Sequence, residues 1–275
     1  MGNALKRIMM AAIVLMAGAT SQLCAAKDKG PDPDYLMPIA ADLPVEIQQV
    51  PPGWFIGADY EEPDKQPSPP QLARLKALLG AYPFNARVEA ALRAKLPNSG
   101  LATTPSFHAG TWPVIEAGMR DRLPRALQIT PEWELSDGNA RLNVGLHTVL
   151  AERSLDKRGK LDNNNYFEGD YFFYLVLPVK GSPAENLQAW EAMGSERLSA
   201  LLDEATDQVV DMLVYNFSEE GRAAWAKAPK LGPAVLEGRR FGGNTLKKGE
   251  GWVWVPRGED EEQAIEGYRL VKPGA

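Results

Sequence analysis

Residues 140–150, Ala-Arg-Leu-Asn-Val-Gly-Leu-His-Thr-Val-Leu, decide the fold because apolar side chains recur along them at every second position, with Thr148 filling the one gap. This alternation is typical of a β-strand with one buried face. The dipeptide Asp137-Gly138 comes just before, and residues 126–135 before it also resemble a strand. Asp-Gly between two such runs favours a tight turn. We therefore predict a β-hairpin over residues 126–150.

The chain that follows this hairpin completes a folding unit. Residues 166–179 predict a strand buried on both faces, because residues 172–177 within it are aromatic or aliphatic on both parities. Ser182-Pro183-Ala184-Glu185 then matches a capping box with proline at the first helical position. The helix that it opens runs to about residue 217, with apolar residues at steps of three and four and an acidic opposite face. One helix, or two that meet at Gly194, both fit this pattern.

The fold class that we predict is α+β. An antiparallel sheet of three or more strands packs against a long amphipathic helix, and shorter N-terminal helices complete the domain. Pro131 removes a hydrogen-bond donor from the first strand, which predicts an edge position or a bulge. The other predicted elements are three short helices and a C-terminal hairpin, at about residues 71–80, 85–96, 113–122 and 251–271. We expect a single domain over residues 71–275, with its core in residues 126–217.

Residues 27–70 differ from the rest in composition, because ten of the 22 prolines fall there. Proline fixes φ and lacks an N–H donor, which disfavours helices and central strands. We predict an extended segment that crosses the surface of the domain, with a short edge strand at residues 45–50.

The first 26 residues predict a signal peptide. Lys6 and Arg7 precede an apolar run over residues 8–19, which is too short to span a bilayer. Small residues at 24–26 then predict cleavage after Ala26. Acylation of Cys24, as in an outer-membrane lipoprotein, is the alternative; Leu23 before it is larger than the residue usual there. The expected location is the periplasm or the exterior.

Composition narrows the class of function. Cleavage would leave 28 basic and 36 acidic residues, a net charge of −8, and no cysteine. Such a charge argues against a nucleic-acid partner. It also argues against an anionic membrane as partner, unless a lipid on Cys24 attaches the protein to the membrane. Without cysteine, thiol nucleophiles and thiolate metal sites are excluded. We predict no cofactor and no metal site.

Candidate binding residues occur in two places. His147 shares the polar parity of its strand, and Glu132 and Glu134 lie on one face of the preceding strand. Trp252 and Trp254 point to one side of the C-terminal hairpin, where they could stack on a sugar ring or cover a core. None of these patterns has the spacing of a known catalytic motif, so we predict no catalytic residue.

The function that we predict is that of an exported envelope or periplasmic protein, a non-enzymatic binding or accessory module. Its partner would be a protein or a glycan of the cell envelope. The alternative is a periplasmic hydrolase that acts on an envelope polymer and uses His147 or the Glu132/Glu134 pair.

Overall fold

The structure is a computed structural model that describes residues 40–50, 70–225, 227, 232–259 and 262–272. The predictions for the signal peptide and Cys24, and for most of the proline-rich segment, lie outside these residues.

The described residues form ten strands, six α-helices and two short 3₁₀ turns. The strands are β1 (Ala40–Gln48), β2 (Ala102–Gly110), β3 (Arg125–Ser136), β4 (Arg141–Leu155), β5 (Leu161–Val176), β6 (Pro233–Leu236), β7 (Arg239–Asn244), β8 (Lys247–Gly249), β9 (Trp252–Glu259) and β10 (Glu262–Leu270). The helices are α1 (Pro70–Gly80), α2 (Phe84–Lys95), α3 (Trp112–Gly118), α4 (Pro183–Glu191), α5 (Gly194–Phe217) and α6 (Glu219–Trp225). The 3₁₀ turns, Leu96–Asn98 and Met119–Asp121, extend α2 and α3.

Eight strands form one mixed sheet in the order β2-β1-β3-β4-β5-β10-β9-β8, and β6 and β7 form a separate hairpin. The α+β class is therefore confirmed, but the prediction of an antiparallel sheet is wrong. The strand β1 is parallel to both β2 and β3, and β10 is parallel to β5. Parallel neighbours are joined by long crossovers and not by turns, so no local sequence signal announces them.

The positions of β1 and β3 also correct the prediction. Because β1 lies between β2 and β3, neither β1 nor β3 is an edge strand. Pairing between β1 and β3 covers only Leu127 to Ile129 on β3. Pro131 lies two residues beyond this paired stretch, where its missing N–H costs no β1–β3 hydrogen bond.

The central hairpin is confirmed, and α4 contacts its turn. Asp137, Gly138 and Asn139 all have positive φ, as a tight turn between twisted strands requires. The Trp190 indole donates to the Asn139 carbonyl at 2.8 Å, and Asn186 donates to the Gly138 carbonyl at 2.9 Å. The predicted capping box of Ser182 and Glu185 starts α4.

Residues 151–165, which lie between the two predicted strands, are mostly strand themselves. Asn163 to Asn165 pair with β4, and a bulge leaves Tyr166 as the extra residue in β5. The turn shrinks to residues 156–160, where the Asp156 carboxylate accepts from the N–H groups of Arg158 and Lys160, each at 2.8 Å.

The helices begin and end near the predicted positions, with two informative differences. The long helical run is two helices, because Gly194 has φ +73° and opens α5 in a new direction. Asn85, at the predicted start of the second helix, lies inside α2. Its side chain instead bonds the backbone N–H and C=O of Val50, at 3.1 and 2.8 Å. This pair attaches the residues after β1 to α2.

The two faces of the sheet differ in chemistry. Buried apolar side chains of one face, among them Leu142, Val144 and Phe173, belong to one hydrophobic core with buried side chains of the helices. We call this the core face. The opposite face, which we call the open face, carries polar side chains in its middle. At one end α3 contacts β1 and β2, and at the other the β6–β7 hairpin covers a small apolar cluster around Tyr174 and Tyr268.

Candidate functional site

The register of β3, β4 and β5 places charged side chains side by side on the open face. Thr130 lies opposite His147, and His147 lies opposite Asp170. One row further along, Glu132 lies opposite Gly145, which lies opposite Phe172. Side chains in neighbouring rows of a sheet are within reach of one another.

The imidazole of His147 lies between two carboxylates. Its Nδ1 is 2.8 Å from Oδ1 of Asp170, and its Nε2 is 3.5 Å from Oε1 of Glu168. The side chains of His147, Asp170 and Glu168 are 37%, 33% and 38% exposed, so water reaches all three. The hydrogen bond to Asp170 raises the pKa of His147, as do the charges of Asp170, Glu168 and Glu132, although partial burial opposes them.

Glu132 differs from its acidic neighbours because no described residue pairs with it. Glu134 accepts a hydrogen bond from Asn143 at 2.7 Å, and Asp170 is held by His147. Protein surrounding the exposed Glu132 carboxylate displaces part of its bulk water, which raises its pKa, and the charges of Asp170 and Glu134 raise it further. The charge of His147, one row away, lowers the pKa of Glu132, but no cation among the described residues contacts the Glu132 carboxylate directly.

Gly145 leaves room for an aromatic ring beside Glu132. A Cβ at this position would lie 2.6 Å from the Phe172 ring and 3.0 Å from Cγ of Glu132. Only glycine therefore allows both side chains to lean over this point of the sheet. The Phe172 ring is half-buried and stacks on Tyr174, with centroids 5.9 Å apart and planes within 7°.

A second charged cluster lies on the same face, toward α3, but it is closed to solvent. The Glu46 carboxylate accepts from Arg153 at 2.8 and 2.6 Å and from Arg122 at 2.6 Å. Glu46 and Arg153 have no exposed side-chain surface, and Arg122 is 12% exposed. Burial by itself raises the pKa of Glu46, but the two guanidinium groups outweigh it and lower the pKa. This cluster ties β1 to β4 and to the end of α3.

The structure brings together three of the five predicted candidates. His147, Glu132 and Glu134 share the open face. Trp252 and Trp254 belong with the core face. The Trp254 side chain is buried, donates its indole N–H to Gln208 at 2.8 Å and meets Tyr215 edge to face. Their place in the core leaves the tryptophans apart from the charged site.

Sequence reasoning did not assign Asp170, Glu168 and Phe172 to this site. Their parity along β5 was readable, but their neighbours depend on the β4–β5 register, which the bulge at Tyr166 shifts. A shift of one residue would turn all three side chains to the core face. The sequence showed that these side chains alternate along β5, but not which residues of β4 they lie opposite.

The part of the chain that the structure describes contains neither a metal-binding group nor a membrane-spanning helix. Its His, Asp and Glu side chains form no group of three or more with the geometry to hold a metal ion. None of its helices is long and apolar enough to cross a membrane.

Comparison with known proteins returned no match, whether to a protein-family model, to a curated protein or to a solved structure.

Proposed function

We propose that this protein is an exported, non-enzymatic binding module whose open face binds a ligand that carries a cationic group, a guanidinium or an alkylammonium. The observation that carries the proposal is the Glu132 carboxylate. It is accessible, lies beside Asp170 and Glu134, and has no hydrogen-bond or ion-pair partner among the described residues.

A cationic ligand would relieve this imbalance. Like charges close together on one face of a sheet repel one another, and a cation between them converts repulsion into charge-assisted hydrogen bonds. The Phe172 ring beside Glu132 offers an aromatic surface on which a guanidinium or alkylammonium also gains cation–π attraction. Carboxylate and ring together favour an organic cation over a small inorganic ion.

The geometry of His147 supports binding over hydrolysis. A general base must be unprotonated at one ring nitrogen that faces the substrate. Here both nitrogens face carboxylates, an arrangement that favours the imidazolium form. Glu134, the second acid of the hydrolase alternative, already accepts a hydrogen bond from Asn143.

The arrangement that leaves this face open is part of the proposal. We take the amphipathic helix α5 to cover the core face, which is supported by the 3.0 Å hydrogen bond from Asn216 to the Tyr171 hydroxyl. The partner would then approach from the side opposite α5. It would be a basic segment of an envelope protein or an amine-bearing envelope glycan.

Binding can be tested with butylguanidinium, which stays charged at every accessible pH. We expect it to shift the NMR signals of Phe172 and His147 in a saturable way at constant ionic strength. Glu132→Gln should abolish the saturable shift. Glu250→Gln, which changes an exposed glutamate in the turn between β8 and β9, is the matched control and should bind like the wild type. Equal binding by wild type and Glu132→Gln would overturn the proposal.

Export is tested separately by the intact mass of the protein purified from its host's envelope fraction. A chain that begins at Lys27 supports a soluble periplasmic or secreted protein. A chain that begins at an acylated Cys24 places the module on a membrane, and one that keeps residues 1–26 contradicts signal cleavage.

A further inference from the structure

We propose that His147 is the internal counter-charge of this site, so that an arriving cation expels a proton from His147 and binding is controlled by pH. This inference rests on the proposed function, since it describes how the same face exchanges one positive charge for another.

The position of His147 suits this exchange. It is one row from Glu132 along the open face, and it contacts two of the carboxylates that surround the proposed ligand position. Its side chain is 37% exposed, so its proton can leave to water without any movement of the fold. The imidazolium and the ligand would share the field of Asp170, Glu168 and Glu132, and each therefore weakens the attraction for the other.

Among the described residues around His147, no unpaired cation could take over its role. On β5 it faces Glu168 and Asp170, and on β3 it faces Thr130 and Glu132. Beyond these, the same row holds Gln48 on β1, which bonds Thr130, and Ala264 on β10. Arg257 lies further along the same row, opposite Ala264, and pairs with Glu266. Charged groups in the neighbouring rows also have partners of their own: Arg122 and Arg153 pair with Glu46, and Glu134 with Asn143.

The direction of the pH effect follows from the charges. The hydrogen bond with Asp170 and the surrounding carboxylates raise the pKa of His147, which keeps the ring protonated to a higher pH than usual. As the pH rises through that pKa, the face loses one positive charge and its affinity for a cation increases. By reciprocity, a bound cation lowers the pKa of His147 and releases its proton. One group can release at most one proton per ligand, which limits the gain to about tenfold in affinity per pH unit.

The experiment measures the affinity for butylguanidinium and the protons that its binding releases. Calorimetry in buffers of different ionisation enthalpy gives the proton count, and NMR of the histidine rings follows the titration directly. We expect wild-type affinity to rise with pH across the His147 titration, with proton release of up to one per ligand. His147→Gln should still bind the probe but lose both effects in that pH range.

The chain supplies its own control, because its one other histidine, His108, lies on β2 at the far end of the sheet. His108→Gln should keep the wild-type pH dependence and proton release. If His147→Gln binds with unchanged pH dependence, the counter-charge inference is wrong and the binding function stands. If the wild type binds the probe at no pH, the proposed function itself fails.

Discussion

Replacing Glu46 by glutamine tests the closed charge cluster that joins β1 to β4. The substitution keeps the size and shape of the side chain and removes its negative charge. In the native structure this carboxylate accepts two hydrogen bonds from Arg153, one from Arg122 and a longer one from Gln128 at 3.4 Å. After the substitution the two guanidinium groups remain without a counter-charge, and Arg153 has no exposed surface through which water could compensate it.

The expected loss is large. Removing one partner of a buried ion pair costs about 3–5 kcal/mol, because the other charge stays buried and unpaired. The free energy of unfolding of a typical domain is about 5–15 kcal/mol, so Glu46→Gln should remove a substantial part of it.

The assay is urea unfolding at neutral pH, followed by tryptophan fluorescence. Glu89→Gln is the matched control, since it removes an exposed i,i+4 pair with Arg93 and should cost below about 0.5 kcal/mol. The pKa of Glu46 is lowered in the fold, so its contribution is present above its ordinary pKa of 4.5 and is lost as the pH falls through the lowered value. The difference in the free energy of unfolding between wild type and Glu46→Gln should therefore disappear in strong acid. A Glu46→Gln cost no larger than that of Glu89→Gln would refute this reasoning.

Three further outcomes are expected from unfolding curves. Glu132→Gln should stabilise the protein by about 0.5 kcal/mol at neutral pH, because the raised pKa of Glu132 marks a carboxylate that the fold disfavours in its charged form. That gain should vanish at acidic pH, where Glu132 is itself neutral. A destabilised Glu132→Gln variant would contradict the conclusion that the Glu132 carboxylate is unpaired. Asn85→Ala should cost about 2 kcal/mol through its two hydrogen bonds to Val50, and a loss near zero would show that water replaces them. Gly194→Ala should cost about 1 kcal/mol from its positive φ alone, since a Cβ there meets no atom within 4 Å. Gly80→Ala, which also has open space and no positive φ, should be neutral or slightly stabilising, and equal effects of the two glycine substitutions would contradict the backbone argument.

Local patterns predicted the elements of this fold but not their arrangement. The central hairpin, the capping box at Ser182 and the C-terminal hairpin were readable because each depends on residues close in sequence. The place of β1 inside the sheet was not, since its partners β2 and β3 lie more than 50 residues away along the chain. Proline content argued against a central strand, and tertiary pairing overrode it.

The candidate site shows the same division. Parity along β3 and β4 marked Glu132, Glu134 and His147 as residues of one face. Two features that distinguish the site were hidden: Asp170 beside His147, and a Glu132 carboxylate that no described residue contacts as a partner. Both depend on which strand lies next to which and in what register, and a single sequence holds no record of that.

The place of β10 in the sheet determines when this protein can finish folding. This last described strand pairs with β5 in the middle of the sheet, and β9 and β8 follow it toward the edge. Residues 177–261, which number 85, separate the end of β5 from the start of β10, and a ribosome needs about 4–17 s to add them at the usual rates. Throughout that interval β5 keeps one row of backbone N–H and C=O groups without the partner strand. The central sheet of the nascent chain therefore stays incomplete for several seconds because of its topology.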